Sequence, residues 1–405
     1  MKKSLESLVA FSKSISELQN NDEFLKAFSE DTGYSIHNIK KREIQSSAAF
    51  MNYKIEEIQK KVASDKKFYF KENKHIHKVF CLLPGNAALY AFCAKVLVPS
   101  IICDVSLHIS FPSRLRKSKD FLVPIFQKHL PNIEIIEAKN KTEMFHHVIN
   151  ESDIDTVIVF ASDVWISEYI GEFIETKKRL IFEGPGNDPC VVFENYDQKG
   201  VKDIVQACLN NYGQSCSSLK RVYVKEDIHD AFVYELINQI DKHLKEHPNA
   251  NNSIFSPIVF DKINYQITEA KGKGAKVVYG DAAIENSKFN PTILLSPNHT
   301  TLVLEENFYP VIPVVKFKDE KHVETLIFES NYGLNCSIYG DYSKDFLELM
   351  KNNHKSVFKD STIVNDENHH EITKLGGYRR SGYILEDGIK KHGSFYLEDL
   401  IFRDK

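Results

Sequence analysis
A chain of 405 residues exceeds what one hydrophobic core ordinarily supports and points to two or three domains. Its 42% hydrophobic and 27% charged residues are the balance of a globular protein, which excludes disordered and fibrous classes. A formal charge of −4 gives no overall attraction to nucleic acid or anionic membrane, so any anion site has to be local.

Seven cysteines, Cys81, Cys93, Cys103, Cys190, Cys208, Cys216 and Cys336, form an odd set without a Cys-x-x-Cys pair. That argues against a disulfide framework and a zinc ribbon, and reduced thiols in a cytoplasm are the expectation. The N-terminal MKKSLESLVAFSKSISELQ lacks the continuous apolar run of a signal peptide, and no stretch approaches the ~20 apolar residues of a membrane span.

In chain order, residues 1–62 read as helix, with Leu5, Leu8, Val9, Phe11, Phe24, Leu25 and Phe28 at helical spacing and Gly33 as a stop. FYFKENKHIHKVFCLL (68–83) alternates around a polar KEN turn, and a hairpin near 67–83 is expected as a segment for pairing with another subunit. Strands at 105–111, 133–138, 156–160 and 179–184 then alternate with helices at 118–130, 142–150 and near 164–176. This grammar implies βαβ units and a mainly parallel sheet with helices on both faces. The fold class is α/β, with a doubly wound, Rossmann-like cofactor domain over 1–184, although no Gly-x-Gly-x-x-Gly is present. Ligands in such sheets bind where strands end, so FPSR (111–114), FAS (160–162) and EGPG (183–186) are the informative places.

A second α/β domain is expected over 185–388, with strands at 189–193, 221–224, 289–295 and 311–317 and helices at 198–211 and 228–244. The C-terminal 389–405, with GSFYLEDLIF (393–402), is expected as a second candidate for subunit pairing in a homodimer. Val201, Ile204, Val205, Cys208 and Leu209 form one helical stripe, so Cys208 reads as structural. Cys216, in NNYGQSCSSLKRVYV (210–224), instead follows a helix-ending Gly213 in a polar loop. The pairs His75-x-His77, His146-His147 and His369-His370 lack companion ligands at metal spacing and read as surface histidines, so no metal is expected.

Taken together in their order, several segments resemble the aldehyde dehydrogenase superfamily from about residue 20 to 400. GQSC with KRVYV is similar to its nucleophile segment, EGPGNDPCVVF to its Glu-Leu-Gly-Gly-x-Asp-Pro segment, and LPGN (83–86) to its Pro-Trp-Asn motif. FNPTIL, LEENFYPVIPV (304–314) and LGGYRRSG (375–382) resemble three further family motifs. The resemblance implies that Cys216 is a nucleophile toward a carbonyl carbon, that Asn86 donates to the resulting oxyanion, and that Glu183 is the base that activates hydrolytic water. A free thiol with a pKa of about 8.5 needs activation for this work, and one oxyanion donor is worth ~3–4 kcal/mol of barrier. It also implies cofactor contacts at Phe111, Ser113, Arg114, Phe160, Ala161, Ser162, Gly184, Glu306 and Phe308.

The cofactor side departs from the family pattern. Phe111-Pro112-Ser113-Arg114 replaces Lys-Pro-Ser-Glu, and an arginine in place of the ribose-binding acid favours NADP over NAD. Arg114, Arg116 and Lys117 crowd a helix start against its macrodipole, a conflict that a bound anion relieves, while a solvated basic turn is the other reading. Ala161 puts a Cβ where the family has glycine, and Tyr309 replaces the glycine between Phe308 and Pro310. Three functions stay open: oxidation of an aldehyde to an acid with NADP or NAD, NADPH-dependent reduction of an acyl thioester such as an acyl-CoA, and a catalytically weak relative retained for binding or as a scaffold.

Overall fold
The computed structural model describes residues 2–64, 74–86, 88–130, 132–251, 253, 257–282, 284–285, 288–365 and 371–402. The first sheet is built from β1 (Lys78–Leu82), β2 (Ser106–Ser110), β3 (Ile133–Ile135), β4 (Thr156–Phe160) and β5 (Arg179–Glu183), all parallel. Their spatial order, β5-β4-β1-β2-β3, places a switch point between β1 and β4. The carboxyl ends of these two strands therefore open a crevice, the usual ligand position in a doubly wound sheet. A second seven-stranded sheet includes β6 (Asp188–Val192), β7 (Leu219–Lys225) and β8 (Lys276–Tyr279), with strands Thr292–Leu295, Val311–Phe317, Asn335–Tyr339 and Ser356–Lys359. It is parallel except where β8 runs antiparallel to Thr292–Leu295.

The helical N-terminus forms as its periodicity predicts. Leu8, Phe11, Phe24 and Phe28 join Phe92 and Phe126 in one core cluster. Asn21 caps the helix Asp22–Thr32 by accepting from the Phe24 amide, and Gly33, at φ 76°, ends it. The stripe Val201, Ile204, Val205 and Cys208 is buried in the second core, on the helix Gln198–Cys208.

Two expectations are corrected and a third is narrowed. Lys78–Leu82 is not a hairpin arm: β2 and β4 pair with it in parallel on both sides, leaving no free edge for an antiparallel partner. Residues 68–73, the other arm, lie outside the described residues, as do His369 and His370. The boundary at 388 also fails, because Gly382–Glu386 pairs antiparallel with β5 and Ile389–Lys391 extends the same sheet. The chain thus returns to its first sheet after completing the second. Finally, Gly393–Phe395 pairs with Leu375–Gly377 of its own chain, and Leu397, Leu400 and Ile401 are buried in the first core. The apolar residues of the last helix are thus used internally, while Ile389–Lys391 and Gly393–Phe395 are edge strands of their sheets.

Candidate active site
The loop carrying Cys216 is conformationally forced. Asn211, Tyr212 and Gly213 all have positive φ, at 50°, 57° and 74°, which reverses the chain between the helix Gln198–Cys208 and β7. At Gly213 a Cβ would stand 2.4 Å from the Tyr309 carbonyl oxygen, so glycine is required there by close approach as well as by φ. Gly186 lies against the same loop, where a Cβ would meet the Cys216 carbonyl oxygen at 2.0 Å. Cys216 is partly exposed, whereas the other six cysteines are buried.

This thiol borders a cleft of about 280 Å³ at the carboxyl ends of β1, β4 and β5. Asn86, Arg114, Phe160, Ala161, Ser162, Glu183, Gly184, Glu306 and Phe308 share its lining. These residues, far apart in sequence, share one crevice because Ser217, just before β7, and Asn335, at the start of the strand Asn335–Tyr339, line it opposite the carboxyl ends of the first sheet. Asn86 accepts at its backbone carbonyl from the Tyr34 hydroxyl at 2.6 Å, while its side-chain amide makes no hydrogen bond among the described residues. The amide is therefore available to a ligand. Tyr309, despite replacing a glycine, does not intrude: it is buried against Phe289 and hydrogen-bonded to Gln266.

Two lysines that sequence reasoning passed over complete the cleft. Lys95 forms a buried ion pair with Glu183, and Lys355 Nζ lies 3.5 Å from the same carboxylate oxygen. Both also donate to the Lys374 carbonyl, at 2.8 and 3.3 Å. Two ammonium groups on one carboxylate are not equally favoured. Burial draws Lys95 down to about 8, while at Lys355 burial works in the same sense but Glu183, the contact with Lys95, Cys216 and Asp188 together outweigh it and hold the ammonium above its usual range. Lys95 was legible as a lone charge in the apolar run ALYAFCAKVLVPSII; Lys355 had no such signal.

The thiol itself is pushed up to about 11, first by burial and then by the Glu306 carboxylate, with Lys95 and Lys355 pulling the other way. Burial likewise raises Glu306 to about 7, although Lys220 and the Gly186 amide, donating at 2.9 Å, favour its charge. Lys220 is buried, drawn down to about 8, and sits 5.1 Å from the centre of the Phe308 ring. In this form the site is a thiol, not a thiolate.

Phe111 and Ser113 border a different cavity, of about 520 Å³, at the carboxyl ends of β2 and β3. Arg116, Lys119, Lys139 and Lys141 line it, with Glu137 paired to Lys119 at 2.8 Å. Arg114 does not join them. Its guanidinium donates to the Thr32 carbonyl at 2.7 Å and packs over Gly85, which ties the Asn86 turn to the N-terminal helices. Nor is the basic helix start uncompensated, because the Asp31 carboxylate accepts from the Lys117 and Ser118 amides at 2.9 and 2.8 Å. Lys139 and Lys141, directly after β3, are the cations that the sequence reading missed. Among the described residues no three His, Cys, Asp or Glu side chains converge on a metal position, and no helix is long and apolar enough to cross a membrane.

Comparison with known proteins agrees with the motif order. The chain is 29% identical over 228 residues to a glutarate-semialdehyde dehydrogenase of Pseudomonas putida, covering 55% of this chain and 46% of that one. It is 30% identical over 231 residues to the NADP(+) succinate-semialdehyde dehydrogenase GabD of Escherichia coli, covering 55% and 47%. These matches span about half the length of the curated relatives. A crystal structure described as an NADP-dependent enzyme of E. coli superposes with a TM-score of 0.78 at 19% identity, over 98% of this chain and 84% of that one. Because the family model for aldehyde dehydrogenases matches residues 6–399, the chain belongs to the aldehyde dehydrogenase family.

Proposed function
We propose that the protein oxidises an aldehyde to a carboxylic acid through covalent attachment to Cys216, with NADP as the preferred dinucleotide. The observation that carries this reading is the meeting of Cys216, Glu183 and Asn86 in one cleft beside Glu306 and Phe308. The Cys216 thiol gives up its proton to solvent as the sulfur adds to the aldehyde carbon, and the carbonyl oxygen takes the negative charge. Asn86, whose amide is uncommitted, and the Cys216 backbone N–H donate to that oxygen. A bound nicotinamide dinucleotide supplies the hydride acceptor that turns the adduct into a thioester. Glu183 then takes a proton from water as its oxygen attacks the thioester carbon, and the acid leaves as the thiol is restored.

The residues present suit a dinucleotide. Glu306 offers a half-buried carboxylate for ribose hydroxyls, Phe308 a ring face, and Arg116, Lys139 and Lys141 a cationic wall for a 2′-phosphate in the cavity of Phe111 and Ser113. The NADP specified in the names of the two E. coli proteins supports the same preference. Small semialdehydes are the substrate class to try first, on the names of the relatives.

One observation favours a second reading. Glu183 is engaged by two lysines, which competes with a role as base, and an enzyme that exchanges its thioester with a thiol has no need of that base. Steady-state assays with semialdehydes and NADP⁺ or NAD⁺, beside acyl-CoA with NADPH, decide between them. Aldehyde-dependent NADPH formation lost in Cys216→Ala supports the first reading; turnover with acyl-CoA alone supports the second.

A further inference from the structure
Away from the cleft, a cavity of about 320 Å³ lies between the segment Ile36–Gln45 and the last turns of the helix His229–Glu246. Its titratable lining is entirely basic: His37, Lys41, Arg42, His243 and His247. The rings of His243 and His247 are 4.8 Å apart, and those of His37 and His247 6.0 Å. No carboxylate lines it. Neighbouring Glu43 is turned away, accepting from the Leu89 and Tyr90 amides at 3.0 and 3.4 Å. Glu246, behind His243, is the other nearby acid and favours the charge of that ring.

Arg42 is the decisive group. Its guanidinium carries five N–H donors, yet it makes no hydrogen bond or ion pair among the described residues. The group is half-buried, and although Glu43 and Tyr90 behind it favour its charge, no titratable side chain that shares the cavity with it has the opposite sign. The strain registers on the histidines: burial, then Lys41, His247 and Arg42, lower His37, while burial and then His247 hold His243 down to about 4. The walls are nonetheless fixed, because the Asn38 side chain donates to the Ala250 carbonyl at 2.7 Å and the Ser253 amide to the Gly33 carbonyl at 2.7 Å.

We infer that this cavity is a binding site for a compact oxyanion, the phosphate of a phosphate ester or a small dicarboxylate, with Arg42 as the principal donor and His37 and His243 gaining protons as it binds. Such an anion satisfies the free N–H groups and removes the like-charge conflict together. It does not depend on which reaction the cleft performs.

Inorganic sulfate is a suitable probe, since its charge is constant across the relevant range. Calorimetric titration of the full chain is expected to give saturable binding at least ~10-fold tighter at about pH 6 than at about pH 8, because protonated histidines favour the complex. Arg42→Gln, and separately the pair His243→Gln with His247→Gln, should each weaken it by at least ~10-fold, whereas Lys276→Gln, exposed on β8 and in neither cationic cavity, should leave it unchanged, and Lys141→Gln reports on the other cationic cavity. In the unmodified chain, the ring-proton resonances of His37 and His243 should move toward their protonated positions on titration, so the test survives a variant that fails to fold. Displacement by methyl phosphate or by glutarate then identifies the source. Absence of saturable binding, indifference to Arg42 and the histidines, loss in Lys141→Gln instead, or displacement by neither compound would overturn the inference.

Discussion
Cys216 borders the cleft as a thiol that its surroundings keep protonated. Its neighbours were readable in GQSC, but its protonation state was not, because, besides burial, Glu306, Glu183 and the two lysines act on it from four distant segments. With the thiol held near 11, the alkylation rate should climb about tenfold per pH unit through neutral and mildly basic conditions. Removing one of its two favourable cations makes ionisation harder still. Lys355→Met is therefore expected to slow iodoacetamide labelling of Cys216, followed by peptide mass spectrometry, by about 3- to 10-fold at about pH 9, with Lys355→Arg restoring most of the rate. An unchanged rate in Lys355→Met would remove Lys355 from the electrostatics of the thiol.

The elements that deliver these side chains were legible to different degrees. β2, β4, β5 and the helix Gln198–Cys208 followed from period alone, as did Gly33 at a helix end. β1 was misread because a strand buried on both faces, with Val79, Phe80 and Cys81 fully covered, gives no clue to its partners, and its polar preceding turn mimics a hairpin. The positive-φ run at Asn211 and Tyr212 was not readable either, since neither residue is glycine and tertiary contact imposes the conformation. Gly186 was noticed only as part of a motif; the structure shows that it is the surface on which the Cys216 loop rests. Gly186→Ala should displace that loop, costing about 3 kcal/mol of stability by chemical denaturation and at least ~100-fold in turnover. Full activity in a normally stable Gly186→Ala protein would show that the loop position is not what orients Cys216.

At the scale of the molecule, the C-terminal return to the first sheet could not be seen from composition, because strand Gly382–Glu386 reads as local structure and pairs with β5 about two hundred residues earlier, from Leu180↔Leu385 to Glu183↔Gly382. Closing both sheets around the cleft also encloses charge. Glu43, Asp188 and Glu306 are each raised to about 7, in every case chiefly by burial. Their folded pKa values exceed the unfolded ones, so the native state holds protons that the unfolded chain has released between about pH 4.5 and 7. Stability from these groups is fully present below that window and is lost as pH rises through it. Glu43→Gln, which keeps an acceptor for the Leu89 amide, should reduce this loss by on the order of 2 kcal/mol between about pH 5.5 and 8 in urea titrations. An identical pH dependence in both proteins would contradict the burial of an ionisable Glu43.

The most direct test of a covalent route through Cys216 is to stop it before hydrolysis. Glu183→Gln, incubated with a semialdehyde and NADP⁺ and then digested, is expected to give a peptide containing Cys216 heavier by the acyl group, with one equivalent of NADPH formed per chain. Reduced dinucleotide appearing catalytically with Cys216 unmodified, or no acyl adduct under any cofactor, would contradict the account.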